Sequence, residues 1–171
     1  MHRLFFPTLF LTACPNPLPS CTDNTECATT SFCVEGDFCL PVFDRTYTVT
    51  ILEATAPELP PTGSSWDPED GSAPDLYALW GSPDASAFVC TSDTFPDTFT
   101  APLNSSCDLT LRSGQGFAIQ INDLDSSGQA EFVGGWLWED DQAVVELVRN
   151  YGQELYLEDR GFSTLFRVDP P

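Results

Sequence analysis

The sequence predicts an all-β protein, an antiparallel β-sandwich of eight short strands preceded by a small disulfide-rich module. Three observations support this fold class. Short segments of alternating apolar residues recur between clusters of Gly, Pro, Ser and Asp from about residue 43 onward. Four cysteines recur at a constant spacing of six within residues 21–39. Hydrophobic residues make up 42% of the 171-residue chain, which is enough to bury the core of one ordinary domain.

The first 13 residues resemble a bacterial lipoprotein signal peptide. A short basic end is followed by an apolar run and by "LTAC", which ends in Cys14. A buried N-terminal strand is the alternative, but Pro7 and the basic flank argue against it. In such lipoproteins the cysteine is acylated and becomes the first residue of the mature chain. The resemblance therefore implies lipidation of Cys14, a lipid anchor in the membrane, and a location in the bacterial cell envelope, at the outer membrane and outside the cytoplasm.

Residues 14–20, "CPNPLPS", form a stiff proline-rich tether, and residues 21–41 form a cysteine-rich module. The module is too small to bury a core, and its cysteines lack the close C-x2-C pairs of a zinc ribbon. Disulfides are therefore favoured over zinc, although four cysteines allow three connectivities. The segment resembles Dickkopf-like or EB-like modules, and this resemblance implies that the first cysteine pairs with the third and the second with the fourth. The cysteines concerned are Cys21, Cys27, Cys33 and Cys39.

Residues 43–171 form the predicted sandwich. "YTVTIL" and "GFAIQI" each place their apolar residues on one face, since side chains alternate along a strand. The other predicted strands are "DLYALW", "AFVC", "DLTL", "FVGGWLW", "ELYLE" and "STLFRV". The segment "DDQAVVELVRN" suits either a strand or a short helix that begins after Asp140 or Asp141. Cys90 and Cys107 are expected to form a disulfide between neighbouring strands.

The charge balance narrows the partners and the chemistry. The chain has 26 acidic residues, six arginines and no lysine, so we expect no nucleic-acid partner and no electrostatic attachment to anionic lipid. The only histidine, His2, lies in the signal segment, and its removal would exclude catalysis that depends on histidine or lysine. A carboxylate pair remains possible in principle, but acidic residues are abundant here. We expect that the protein is not an enzyme and that its charged partner is a cation.

The strand order and the acidic loops resemble the C2 domain, a calcium-dependent membrane-targeting sandwich. The resemblance depends on "PDLY" at residues 74–77 and on "INDLDSSGQAEFVGG" at residues 121–135. It covers nearly all of residues 43–171 and implies a Greek-key sandwich that binds Ca²⁺. Position by position, the implied calcium ligands are Asp67, Asp75, Asp123, Asp125 and Glu131. Asp70 competes with Asp67, because the first loop is longer than in the family.

The physical chemistry of these residues agrees with the resemblance. Asp123 and Asp125 are two residues apart, so both carboxylates can face one ion, and calcium takes six to eight oxygen ligands. Two departures from the family stand out: Glu131 replaces the more common Asp, and Leu124 replaces a frequent aromatic residue. There is also no lysine-rich strand for phosphoinositides.

Two functions follow from the sequence. In the first, the protein is a surface-anchored lipoprotein whose calcium-binding loops contact a membrane, glycan or protein partner, with Leu59, Trp66 and Leu124 as exposed apolar tips. In the second, it is a non-catalytic structural or protein-interaction lipoprotein with a degenerate C2-like fold and no calcium binding.

Overall fold

The computed structural model describes residues 18–34, 36–60, 63, 65–67, 71–83, 88–125 and 128–170. The predicted signal peptide and the lipidation site Cys14 lie outside these residues, as does the alternative ligand Asp70. Among the helices that are described, none has the length and apolar character needed to cross a membrane.

The described chain is built mainly from short antiparallel strands. The strands are β1 Ser31–Val34, β2 Phe38–Pro41, β3 Arg45–Thr55, β4 Leu76–Gly81, β5 Cys90–Thr91, β6 Thr100–Ala101, β7 Ser105–Leu111, β8 Phe117–Leu124, β9 Ala130–Trp138, β10 Glu154–Asp159 and β11 Phe162–Asp169. One α-helix, α1, spans Asp141–Val148, and a single 3₁₀ turn spans Asn24–Glu26.

Two sheets form the predicted sandwich. The first has the order β10-β11-β3, and both β6 and β7 pair with β3 on its other side. The second has the order β5-β4-β8-β9. Because β6 and β7 occupy one strand position beside β3, the sandwich has eight positions, which confirms the eight-stranded prediction.

The core lies between the two sheets and follows the alternation that the sequence shows. Tyr47 and Ile51 of β3, and Ile119 and Ile121 of β8, are completely or almost completely buried. Each large apolar side chain moved out of water contributes about 1.5 to 3 kcal/mol to folding. The predicted inward faces of these two strands are therefore confirmed.

The ambiguous segment after β9 is helical. Asp140 caps α1, because its side chain accepts a hydrogen bond from the Ala143 backbone N–H at 2.8 Å. The helix buries Val144, Val145, Leu147 and Val148 on one face. It thus begins after Asp140, at one of the two predicted positions.

The cysteine-rich segment is a β1–β2 hairpin held by two disulfides, Cys21–Cys33 and Cys27–Cys39. The pairing is therefore first with third and second with fourth. All four sulfurs are in disulfides, so this segment offers no thiolate to zinc, although three of the sulfurs lie within 4.8 Å of one another.

The hairpin packs against the end of the sandwich where β3 begins. Phe32 is fully buried in the core and its ring contacts Tyr47 and Tyr151, with centroids 6.1 and 5.4 Å away. Arg149, just after α1, donates hydrogen bonds to the backbone oxygens of Ser31 and Ala28. The module therefore shares the core of the sandwich.

The third disulfide joins Cys90 and Cys107, but not as predicted. Cys90 lies in β5 and Cys107 in β7, and these strands belong to different sheets. Both are edge strands, so the bond closes one side of the sandwich. Alternation along a single segment does not reveal this, because it does not assign a strand to a sheet.

The end of the sandwich opposite the module gathers four connections, β3–β4, β5–β6, β8–β9 and β10–β11. The β5–β6 connection joins the two sheets here, because the Thr98 N–H donates to Pro74 O and the Ala56 N–H donates to Phe99 O. We call this end the acidic pole, since Asp67, Asp75, Asp97, Asp123, Asp125 and Glu131 lie on its loops and adjoining strand ends.

Candidate metal site at the acidic pole

Asp123 is the centre of the acidic pole. It lies inside β8, paired with Leu76 of β4 on one side and Glu131 of β9 on the other, and its side chain is 0% exposed. Its Oδ1 accepts a hydrogen bond from the Asp75 backbone N–H at 2.7 Å. Its Oδ2 is buried and has no hydrogen-bond partner among the described residues. A buried carboxylate oxygen without a partner is costly, so this atom indicates a missing cationic or proton-donating group.

Burial raises the pKa of Asp123 from 3.8 to about 6, and the charges of Asp67, Asp125 and Asp75 add to the increase. The hydrogen bond from the Asp75 N–H opposes this effect. Burial, followed by the charge of Asp123, also raises the pKa of Tyr77. At neutral pH the pole therefore holds an ionised, desolvated carboxylate surrounded by other carboxylates.

Asp75 connects three parts of the pole. It directly precedes β4, and its carbonyl oxygen accepts the Leu124 N–H at 3.0 Å. Its Oδ1 accepts the backbone N–H of Asp97 at 2.8 Å. The side chain of Asp75 is thus held near Asp123.

Asp125 begins the tight β8–β9 connection. Its N–H donates to Gln129 O at 2.9 Å, and its carbonyl oxygen accepts the Gly128 N–H at 2.8 Å. Gly128 has φ of 80°, a conformation that glycine adopts without steric cost. Glu131 lies opposite Asp123 in β9 and is exposed, so its longer side chain would have to turn over the pole to reach a shared ion.

Asp67 lies in the long β3–β4 connection and is half-buried. Its carbonyl oxygen accepts the Gly71 N–H at 2.7 Å, and its charge acts on Asp123. The neighbouring Trp66 was predicted to be an exposed tip, and this prediction is wrong. Trp66 is only 2% exposed, and its Nε1–H donates to Pro57 O at 2.9 Å, so the indole anchors the loop to the sandwich.

Of the other two predicted apolar tips, Leu59 is exposed as predicted, and Leu124 is only partly exposed. Leu59 is 58% exposed, and Leu124 is half-buried at the end of β8. Phe132 and Phe99 add further exposed apolar surface close to the pole. The pole therefore combines acidic loops with exposed apolar side chains.

Asp97 is a member of the pole that the sequence analysis missed. It lies in the β5–β6 connection, is exposed, and adopts the left-handed conformation with φ of 52°. This conformation turns its N–H toward Asp75. The available signal was the pair of aspartates in "TSDTFPDTFT", but only the course of the chain across the pole shows that this segment meets Asp75.

The carboxylates lie near one another, but their oxygens are not arranged as a coordination shell. Among the described acidic residues, no three have carboxylate oxygens within 4.8 Å of one another. Several like charges in one place repel each other, so a cluster without a counter-ion is expected to spread. The residues fit a hard cation, since calcium prefers oxygen ligands and the buried Oδ2 of Asp123 lacks a partner.

No protein-family model matches the sequence, and no curated protein matches it. Solved structures do resemble it. The calcium-bound tandem C2 domains of extended synaptotagmin 2 match with a TM-score of 0.55 and 14% identity, covering 77% of this chain and 47% of that one. A single C2 domain of plant extended synaptotagmin 1 matches with a TM-score of 0.52 and 13% identity, covering 75% and 96%.

A third similar structure is human GIVD cytosolic phospholipase A2 in complex with an inhibitor and terbium chloride. It matches with a TM-score of 0.52 and 16% identity, covering 75% of this chain but only 18% of the enzyme. The chain therefore spans less than half of two of these three structures. Together the matches show the fold: this chain has a C2-like β-sandwich with antiparallel sheets.

Proposed function

We propose that this protein binds calcium at the acidic pole and uses the bound ion to contact a membrane or a partner molecule. The observation that carries the proposal is Asp123: a fully buried carboxylate with one unpartnered oxygen, beside Asp67, Asp75 and Asp125. A divalent cation would satisfy that oxygen and neutralise the neighbouring charges at once. The calcium-bound structure of a protein with the same fold supports this choice of ion.

In the proposed site, Asp75, Asp123 and Asp125 supply the innermost oxygens, because two backbone hydrogen bonds already place Asp75 beside Asp123. Asp67 closes over the ion from the β3–β4 connection, and Glu131 closes over it from the start of β9. Asp97 acts mainly through its N–H, which holds the Asp75 carboxylate in place.

The wider role combines this site with the N-terminal segment. We propose a surface-anchored lipoprotein of the bacterial cell envelope, attached through acylated Cys14, in which calcium mediates contact with a membrane, glycan or protein. Exposed Leu59 and Phe132 provide apolar surface for that contact. Electrostatic attraction to anionic lipid contributes little in the absence of calcium, because the chain has a net charge of −20.

A second function has a specific observation in its favour. No three carboxylates among the described residues bring their oxygens within 4.8 Å of one another. Because the pKa of Asp123 is about 6, protonation at mildly acidic pH also removes its buried charge without an ion. The same fold would then serve as a structural or interaction lipoprotein without calcium.

Isothermal titration calorimetry separates the two functions. The proposal expects saturable calcium binding with a dissociation constant of about 10⁻⁵ to 10⁻³ M, as in extracellular calcium modules. Asp123→Asn combined with Asp125→Asn should abolish the binding heat, whereas Asp23→Asn combined with Asp37→Asn, at exposed acids of the module, should not. If the wild-type protein binds no calcium at millimolar ion, the calcium proposal is wrong and only the second function remains.

A sedimentation assay with vesicles then identifies the type of contact. Neutral and anionic vesicles are tested with calcium and with chelator, and Leu59→Ser combined with Phe132→Ser reports on the apolar surface. Calcium-dependent sedimentation that this pair reduces supports a membrane partner. Calcium binding without sedimentation points to a glycan or protein partner.

A further inference from the structure

The two sides of the sandwich are closed in different ways. On one side, the Cys90–Cys107 disulfide joins the edge strands β5 and β7. On the other side, the edge strands are β9 and β10, and α1 lies beside the gap between them. A cavity of about 430 Å³ opens there between α1 and β10. This volume lies within the roughly 300 to 1,000 Å³ typical of ligand sites.

The cavity has an apolar floor beside a free strand edge. Trp138, Leu147 and Phe166 line it together with Leu155 and Leu157 of β10. Within the described part of the chain, β10 pairs only with β11, so its other edge offers backbone N–H and C=O groups. Edge strands of this kind are templates for an added strand, in which main-chain hydrogen bonds give affinity and side-chain pockets give specificity.

The charges around the cavity favour one kind of occupant. Its lining residues include one acid, Glu146, and no arginine. At the rim, Tyr156 is 58% exposed and its hydroxyl donates to Glu158. Glu154 lies on the same exposed face of β10 as Tyr156 and Glu158, since side chains alternate along a strand. Glu154 and Glu158 therefore give the outer face of the edge negative charge, and Glu146 adds one at the cavity. This charge discourages a second copy of this acidic chain and attracts a basic segment.

We propose that the groove between α1 and β10 binds an extended segment of a partner protein in which apolar and basic residues alternate. The segment adds to the free edge of β10 as a further strand. Its apolar side chains enter the cavity above Trp138 and Phe166, and its basic side chains, on the opposite face of the added strand, reach Glu154 and Glu158. This surface lies on the side of the sandwich, and its use does not depend on calcium at the acidic pole.

The test uses a synthetic decapeptide of alternating valine and arginine, with both ends blocked. We expect saturable binding below about 1 mM in calorimetry, with amide shifts in ¹⁵N NMR spectra confined to Glu154–Asp159 and α1. A peptide with the same composition but with its valines and arginines in separate blocks is the matched ligand control. It should bind at least about tenfold more weakly, because it cannot place apolar side chains on one face.

The matched protein variants separate the groove from the general charge of the chain. Glu154→Gln combined with Glu158→Gln should weaken binding about tenfold, whereas Asp37→Asn combined with Asp93→Asn removes as much charge elsewhere and should have little effect. The proposal is overturned if the decapeptide does not bind, if both variants weaken it equally, or if the shifts map to the acidic pole.

Discussion

Replacing Asp123 by asparagine should stabilise the protein in the absence of metal. The folded protein holds this carboxylate with a pKa of about 6, against 3.8 for the ordinary group. Each pKa unit corresponds to about 1.4 kcal/mol, so an ionised Asp123 costs folding about 3 kcal/mol at neutral pH. This cost arises from burial first and then from the charges of Asp67, Asp125 and Asp75.

Asparagine removes the charge and keeps the geometry. Its Oδ1 can still accept the Asp75 N–H, and its Nδ2 places a donor where the carboxylate has an oxygen without a partner. We therefore expect the free energy of unfolding in chelator at pH 7.5 to rise by about 1 to 3 kcal/mol, with a melting temperature about 3 °C higher per kcal/mol. Asp37→Asn, an exposed acid at the opposite end, serves as the control and should change little.

Calcium should reduce or remove the stability advantage of the variant. With sites of about 10⁻⁵ to 10⁻³ M, 1 mM calcium stabilises the wild type by about 0.4 to 2.7 kcal/mol, and the variant should gain almost nothing. Thermal and urea unfolding with chelator and with calcium measure both effects. The reasoning is refuted if the variant is clearly less stable than the wild type in chelator, since the carboxylate would then be stabilising without an ion.

Three other predictions rest on the structure, and a fourth rests on the sequence. The pKa of Asp123 is raised, so the stability that the protonated carboxyl gives the metal-free protein is fully present below about pH 4 and is lost as the pH rises through about 6. Melts of wild type and Asp123→Asn across pH 4–8 should therefore show a difference that vanishes at the acid end. Calcium affinity should fall as the pH drops below about 6, because protons compete with the ion for Asp123. Cys90→Ser combined with Cys107→Ser should lower the free energy of unfolding in urea by about 3 kcal/mol. Alkylation of the unreduced wild type should label none of the six cysteines in the three disulfides. Phe32→Ala should cost about 3 to 5 kcal/mol, against less than about 1 kcal/mol for the exposed Phe38→Ala, and equal losses would show that the module does not share the core. Intact-mass analysis of membrane-associated protein should show acylated Cys14, and an unmodified cysteine there would end the anchor hypothesis.

The local features of the fold could be predicted from the sequence, because they depend on short-range patterns. Alternation placed Tyr47 and Ile51 inward, and Asp140 was one of the two residues after which a short helix was expected to begin. The sheet that each strand joins could not be predicted in this way. For that reason, the Cys90–Cys107 bond was assigned to neighbouring strands although it joins two sheets.

The candidate site shows the same limit. Spacing and resemblance drew attention to Asp123, near the end of β8, and Asp125, just after it. Asp97 was missed because it reaches the pole through a separate connection, and its contact with Asp75 uses a backbone N–H that any residue could supply. Trp66 was assigned to the surface because it lies in a loop, but its indole is buried by the packing of that loop against Pro57.

The distribution of cross-links explains why an ion would matter at the acidic pole. Two disulfides fix the module end and the third closes one side of the sandwich. Among the described residues, the loops of the pole are joined by hydrogen bonds alone, and three of these bonds converge on Asp75. A cation bound by Asp67, Asp75 and Asp123 would therefore supply the cross-link that this end lacks. It would also remove the repulsion that now opposes closure, since the charges that raise the pKa of Asp123 are the same charges that would hold the ion.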